Sequence, residues 1–558
     1  MKTGADIEAR VRAGESLEGV VIADVDLGGR DLAGARMRGA KLVQCTLTGA
    51  NLAGSDLGMT QWAGCSLRGA TLSGADLGAA LAMGVDLGGA NLKNAKLGKA
   101  NLARSSLEGA TLEGADLTEA VLLEAKLSRA RLAGADLSKA RLDMANLDGA
   151  NLDGAKLEQT SFSRAAMTGA SLRKARIEGA IFSEATLVRA DFAGATTANA
   201  IFVKANLTGA VLPRALVGAI FNQAQLSSPD FRGADLSRAS LGGLDLRGAD
   251  LRGANLEGAL LNQCDLTGLD LATARLKRCV MQGATLRGAR LAGAKLHMTV
   301  LIEADLSGAD LSGATLEMAA LDKAVLIFTN LTRALLKRTV MRGATLEGAS
   351  LSGAIFHQVD FGEVDLRKLA LRGSSLTKCL FNGADLKAMD LEGCDFTDAN
   401  FDEADLRQAN LKQALLARAN FRKAKLDLVD ASGAMAKAAF FGEASLAGAR
   451  FPGAMLRNAT FSKANLEHAD LRGADLRESV MTEAVARGAL LSRARLCHSD
   501  LSHADVSGAD LSGADCASAN LHAIRDKDTL WAGASLATAR RTDLGRLEAE
   551  GWARPRAE

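Results

Sequence analysis

Apolar residues recur every five positions along almost the whole chain, as in residues 303–316, EADLSGADLSGATL. We call the large apolar residue of each five-residue unit its centre. A period of five fits neither the 3.6-residue stripe of a helix nor the two-residue alternation of a strand. It fits a coil that turns a corner in every unit. The centre and the small residue two positions before it then point inward, and the polar residue between them points outward.

A second period of twenty residues lies on top of the first. Phenylalanine occupies every fourth centre over the later part of the chain, at Phe361, Phe381, Phe401, Phe421, Phe441 and Phe461. Four units therefore make one turn, and the rings of this structural ladder should stack inside the coil. The pattern predicts an all-β solenoid. At a strand-like spacing of ~4.8 Å, about 25 coils would form a rod roughly 120 Å long.

One break interrupts the five-residue register. Centres run at five-residue steps up to Val217 and resume at Phe221, four residues later. Phenylalanine marks one face on both sides of the break, which favours a local irregularity over a seam between two rods. We therefore predict two continuous repeat segments, 15–218 and 219–523, in one β-helix.

The first coil needs a cover, because an open coil is an unpaired edge. Segment 1–14 can supply one as a capping helix over Ala5–Ala13, in which Ile7 and Val11 share a face. Gly14 is a typical stop signal.

Segment 524–558 is predicted as the C-terminal cap and tail. The repeat pattern fails over 524–529, returns at Trp531 and Leu536, and then gives way to a charged tail. Asp543 can start a short helix there, with Leu544 and Leu547 packed against the last coil.

The repeat resembles the A-(D/N)-L-x-x signature of the pentapeptide-repeat family. The signature occurs as ANL at 50–52, ADL at 75–77, ADL at 304–306 and ANF at 399–401. The resemblance covers about nine tenths of the chain. It implies a right-handed quadrilateral parallel β-helix with four faces, in a bacterial protein. It implies little about function, since a fold hosts sites without specifying them.

The composition excludes several classes of function. The chain has 67 Lys and Arg against 65 Asp and Glu, a balance that favours neither a polyanion-binding stripe nor an acidic surface that imitates DNA. No apolar run approaches the ~18 residues of a membrane helix. The start, MKTGADIEAR, lacks the form of a signal peptide, and eight cysteines do not resemble a secreted disulfide framework. We expect a cytoplasmic protein that binds neither membranes nor nucleic acid.

Most cysteines occupy positions that the repeat turns inward. Cys45, Cys65, Cys264, Cys279, Cys379 and Cys394 take the small inner position, Cys516 replaces a centre, and Cys497 should face outward. Cys45 and Cys65 are one coil apart, near enough for a bridge. Because buried cysteine usually serves as a small apolar residue, we predict free structural thiols.

Candidate chemistry is sparse. All six histidines fall on outer positions, and the only metal-like group near the C-terminus combines His498, His503 and His522 with Cys497, Asp500 and Asp505. Its spacing matches no zinc motif. No nucleophile triad, phosphate loop or dinucleotide fingerprint is present. We predict no catalytic, cofactor or metal site.

The feature of the sequence that most strongly suggests a binding function is a column of apolar residues at outward positions. The residue before the centre is normally polar, but on the face of the Phe ladder it is often apolar. Its members include Ile220, Leu260, Val280, Val300, Val340 and Leu380. Over 225–325 the corresponding columns of the other faces are more polar. Exposed apolar stripes commonly mark a partner surface. The alternative is that outward β-branched residues only favour the extended chain.

These observations favour a non-catalytic scaffold or adaptor that binds protein partners, or a second copy, along one face. Residues 9–20, ARVRAGESLEGV, resemble the lead-in of long bacterial pentapeptide-repeat proteins associated with type VI secretion. The resemblance also implies one alternative, a rod that binds DNA gyrase by imitating DNA. A third reading is an enzyme or metal protein centred on His498, His503 and His522.

Overall fold

Hydrogen-bonded turns close the repeat units. In the unit centred on Phe401, the N–H of Ala404 donates to the carbonyl of Phe401 over 3.0 Å, and Glu403 between them has a φ of 59°. A positive φ at the third residue is the feature of a type II turn. Glycine adopts it without a steric penalty, as Gly308 does in the unit of Leu306 with a φ of 65°. The frequent glycines two residues after a centre thus serve the corners.

Successive coils pair in parallel, twenty residues apart. The N–H of Phe401 donates to the carbonyl of Asn420 over 2.7 Å, and the N–H of Asn420 donates to Ala399 over 2.9 Å. A bridge joins Asn400 to Asn420 in the same way. This computed structural model describes residues 3–551 and shows a parallel β-helix with four units per coil. The predicted fold class is confirmed, whereas right-handedness and a quadrilateral section stay predictions.

Where three consecutive residues pair, the single bridges extend into short strands. They are β1 (Val21–Ala23), β2 (Lys41–Val43), β3 (Gln61–Ala63), β4 (Leu335–Lys337), β5 (Ile355–His357) and β6 (Ser375–Thr377). The first three form one parallel sheet and the last three another. Helices α1 (Gly4–Arg12) and α2 (Leu544–Glu550) lie near the ends. In the described part of the chain, no helix has the length and apolar character needed to cross a bilayer.

The chain divides into two compact units, Met1–Thr285 and Leu286–Glu558. Both have a core of inward centres and small residues. In the second unit the predicted Phe ladder lies inside: neighbouring rings from Phe361 to Phe461 have centroids 4.8–5.3 Å apart and planes within 8° of parallel. Phe202 and Phe221 stack in the same way in the first unit, at 5.0 Å. We call the side that carries these rings the Phe-ladder face of each unit.

The four-residue step lies between Leu212 and Leu216, not between Val217 and Phe221 as predicted. Leu216 is fully buried while Val217 is half-buried, so Leu216 is the centre of its unit. The preceding unit contains a buried Pro213 and is one residue short. The prediction was wrong because Val217 is also apolar and continues the five-residue spacing.

Pairing continues across the short unit. Bridges join Ile201 to Ile220 and Thr196 to Ala215, each nineteen residues apart instead of twenty. A surface cavity of about 500 Å³ lies beside Pro213 and Pro229. The step is therefore a local irregularity inside the first unit.

Helix α1 covers the first coil. Thr3 is its N-cap, Ile7 is buried, and Gly14 follows the helix with a φ of 70°. The predicted helix over Ala5–Ala13 thus lies one residue from the observed one. Residues 1 and 2 of the predicted segment lie outside the described residues.

At the C-terminal end the repeat returns and the short helix forms as predicted, but the helix packs differently. Bridges continue as far as Arg540, although the side chains at 524–529 no longer fit the repeat. Helix α2 begins after its N-cap Asp543, but Leu544 and Leu547 are 76% and 40% exposed and do not pack down. Polar contacts of Glu550 hold this helix instead. Residues 552–558 lie outside the described residues.

Candidate protein-binding face

In the first unit, the predicted apolar column comprises Ile220, Leu260 and Val280. Each directly precedes a buried centre, and the N–H of Leu261 donates to the carbonyl of Val280 over 2.7 Å. Leu260 is 40% exposed, while Ile220 and Val280 are half-buried. Ser240 lies between Ile220 and Leu260. The main chain therefore holds Leu260 and Val280 on adjacent coils. The polar residue Ser240 separates them from Ile220.

In the second unit, the column comprises Val300, Val340 and Leu380. Bridges connect them through Ala320 and Asp360. Leu380 is 41% exposed, and the two valines are half-buried. Apolar groups are thus fixed at every second coil, with a small and a charged residue between them. Such a surface can bury apolar area against a partner.

Further exposed apolar residues occupy the same outward position, some on another face and one further along this column. Leu415, Met435 and Met455 follow one another on a different face, 36%, 47% and 50% exposed, and Phe440 on the Phe-ladder face is 40% exposed. The sequence rule that found the predicted column also identifies them, because each directly precedes a centre. Leu415, Met435 and Met455 were not predicted, because the polarity of the four faces was compared only over residues 225–325.

Arginines neutralise the outward aspartates. Arg232 and Arg214 donate to Asp230 over 3.0 Å and 3.1 Å, and Arg252 donates to Asp250 over 2.5 Å. Hydrogen bonds, first from Arg232 and then from Arg214, hold the pKa of Asp230 well below its usual range. These pairs are exposed and contribute little stability, but the arginines leave no uniform negative field along this row of aspartates.

Repeat-family patterns match most of the β-helix. Pentapeptide repeats (8 copies) match residues 22–58, 45–81, 86–122, 105–143, 124–154, 145–184, 185–228, 215–243, 230–268, 245–283, 279–317, 319–358, 439–477, 461–496 and 489–523. A pentapeptide repeat region matches 374–451. The chain belongs to the pentapeptide-repeat family.

Solved pentapeptide-repeat proteins are similar to parts of the chain. HetL, involved in heterocyst differentiation regulation in the cyanobacterium Nostoc sp. strain PCC 7120, shares 32% identity over 43% of this chain and 89% of its own, with a TM-score of 0.17. A thylakoid-lumen protein of Arabidopsis thaliana shares 34% identity over 21% of this chain and 68% of its own, with a TM-score of 0.09.

QnrB1, a plasmid-mediated fluoroquinolone resistance protein, shares 19% identity over 41% of this chain and 98% of its own, with a TM-score of 0.20. A comparison with curated proteins finds no match. The family follows from the repeat itself.

The cysteines of this pentapeptide-repeat protein are free. Seven are buried, and Cys497 is half-buried and donates to Asp515 over 2.8 Å. The main-chain N–H of Cys45 donates to Sγ of Cys65 over 3.4 Å. Hydrogen bonding between the two thiols lowers the pKa of Cys45 and raises that of Cys65. The pair is enclosed in the core.

The structure rearranges the histidine group expected from the sequence. His503 and His522 come together, with ring centroids 5.4 Å apart, and both contact Glu550 of α2. His522 is 2% exposed, so the expectation that every histidine lies on the surface was wrong. Residues after the last coil fold back over this ring, and Asp543 donates its N–H to it. Glu550 was missed because the sequence assigned its segment only to a tail.

Proposed function

We propose that this pentapeptide-repeat protein is a non-catalytic scaffold that associates with protein along the Phe-ladder face. The observation that supports it is the apolar column in both units, at a position where the repeat most often carries a polar residue such as Asp, Asn, Ser or Thr. Exposed apolar groups in a row favour association because their burial releases ordered water. The proposal places the protein in the cytoplasm.

The regular spacing of the coils favours a second copy of the chain as the partner. Main-chain pairing sets the rise per coil at ~4.8 Å, and another β-helix of the same kind presents its side chains at the same interval. A two-fold axis would use the same surface of each copy. The resemblance of residues 9–20 makes a type VI secretion effector the second class of partner to test.

The gyrase-binding alternative finds less support. A rod that imitates DNA needs a strongly acidic surface. Here acidic and basic residues balance, and arginines pair with Asp230 and Asp250. A supercoiling assay with purified gyrase would identify this alternative directly.

Site-specific photo-crosslinking tests the proposed face. A photoreactive residue in place of Val300 should link two chains, because Val300 lies in the column. The same residue in place of Asp310, at the equivalent position two units further along, should not. Equal crosslinking from both positions, or none from Val300, would contradict the proposal.

A further inference from the structure

Two imidazoles and a carboxylate converge where helix α2 meets the last coils. Nε2 of His503 lies 3.0 Å from Oε2 of Glu550, and Nε2 of His522 lies 3.2 Å from the same oxygen. One ligand atom from each residue lies within 4.8 Å of the other two. We propose that His503, His522 and Glu550 form a site for a divalent transition metal, with zinc as the ion that suits them.

The donor set and its spacing fit zinc. Zinc binds imidazole nitrogen and carboxylate oxygen at about 2.0–2.2 Å, so neighbouring ligand atoms of a tetrahedral site lie about 3.3–3.5 Å apart. The two nitrogen–oxygen distances here are a few tenths of an ångström shorter than that. The ligand atoms of the two histidines lie within 4.8 Å of each other. A small outward movement of the Glu550 carboxylate, with a closer approach of the two imidazole rings, would therefore admit the ion.

The β-helix fixes the two histidines relative to each other. His503 occupies the turn position with a φ of 60°, and its N–H donates to the carbonyl of His522 over 2.9 Å. His522 follows the buried centre Leu521 in the next coil. Their backbones are thus held by the same ladder that orders the rest of the second unit.

Helix α2 supplies and orients the carboxylate. Nε of Arg546 donates to Oε1 of Glu550 over 2.6 Å, which leaves Oε2 directed at the histidines. Such a second partner orients a metal ligand. A surface cavity of about 520 Å³ is lined by His503, Glu550 and Asp505 among others, and leaves room for water as a fourth ligand. Asp505 already pairs with Arg487 at 2.8 Å.

Binding of the metal would break the hydrogen bond between the main chain of Asp543 and the ring of His522. The N–H of Asp543 donates to Nδ1 of His522 over 3.2 Å, so neutral His522 carries its proton on Nε2. Metal binding at Nε2 moves that proton to Nδ1, and the N–H of Asp543 must then turn away. Because Asp543 is the N-cap of α2, zinc binding is coupled to a shift at the start of this helix.

Zinc titration of the untagged, chelator-treated full-length chain tests the site. By calorimetry we expect one zinc per chain, with affinity lowered at least tenfold in His503→Asn, His522→Gln and Glu550→Gln. His498→Asn and Glu548→Gln are matched controls, since His498 has the same turn conformation, with a φ of 61°, and Glu548 lies on the same helix. Both controls should bind zinc as the wild type does.

Several results would overturn the site. They are no stoichiometric binding by the wild type, equal binding by the three ligand variants, and loss of binding in Cys45→Ala/Cys65→Ala. If a ligand variant does not fold, the absorption spectrum of the cobalt(II)-substituted wild type identifies the type of ligand instead. A thiolate-to-cobalt charge-transfer band would refute the site, and a spectrum of nitrogen and oxygen ligands would support it.

Discussion

At the scale of single residues, the inward positions of each unit accept small or apolar side chains of several kinds. Cys45 and Cys65 stand where alanine is usual, and both are almost fully buried. Their Sγ atoms approach the main-chain carbonyls of Ile22 and Leu42 to 3.4 Å. They therefore fill space and make weak hydrogen bonds, as the sequence pattern predicts.

Replacing Cys45 and Cys65 together with alanine should leave the β-helix folded. We expect the free energy of unfolding to fall by no more than about 2 kcal/mol, because only two buried sulfur atoms are removed. Denaturant unfolding followed by circular dichroism measures the change. Loss of the fold would show that the pair is essential to the first unit.

The stacked rings make a larger contribution than the cysteines. Phe421 is fully buried and lies 4.8 Å and 4.9 Å from the rings of Phe401 and Phe441. Phe421→Ala should lower the free energy of unfolding by about 3–5 kcal/mol, since it opens a cavity in a ladder held by its neighbours. Phe328→Asn is the control: this ring is 71% exposed, and its loss should change stability by less than about 0.5 kcal/mol. Equal effects of the two substitutions would contradict the assignment of inside and outside.

Residue-level prediction from the sequence succeeds where the repeat itself decides burial. The five-residue register correctly separates buried Phe421 from exposed Leu260, because the backbone ladder turns equivalent positions the same way. It fails for His522 and Leu544, whose burial depends on residues 541–550. That segment lies beyond the repeat, so periodicity contains no information about it.

At the scale of the elements, the short unit before Leu216 is the main departure from regularity. The turn after Leu212 has two residues, Pro213 and Arg214, before the next bridged residue, Ala215. Regular units have three. The neighbouring coil compensates through bridges of nineteen residues.

Insertion of one glycine between Pro213 and Arg214 should restore a twenty-residue coil. We expect it to be tolerated better, by about 1–3 kcal/mol in the free energy of unfolding, than a glycine inserted between Gly134 and Ala135. The second insertion lengthens a regular turn and disturbs pairing on both sides. Thermal or denaturant unfolding of the two variants compares them. A greater loss at Pro213 would contradict the assignment of the short unit.

The existence of a register fault could be predicted from the sequence, but its position could not. Leu212, Val217 and Phe221 are all apolar, so the spacing alone placed the step one unit late. Burial of Leu216 in place of Val217 resolves it. Whether Leu216 or Val217 turns inward depends on the shortened turn at Pro213. The apolar character of the two side chains does not distinguish them.

At the scale of the whole molecule, the proposed function depends on the apolar column of each unit. The sequence identified this column through Leu260, Val280 and Val300, because outward positions follow from the same period as the core. The exposed residues Met435 and Met455 also lie in a row on another face of the second unit. Substitution of these two methionines is a matched control, because it removes exposed apolar area away from the proposed face.

The molar mass of the protein in solution tests the central claim most directly. By light scattering, wild-type protein should have the mass of at least two chains, and Val280→Asp/Val300→Asp should have the mass of one. Aspartate occupies the same position in other units, so the variant should fold. Met435→Asp/Met455→Asp should keep the wild-type mass. A wild type that is a single chain, or a Val280→Asp/Val300→Asp variant with the mass of the wild type, would contradict association along the Phe-ladder face.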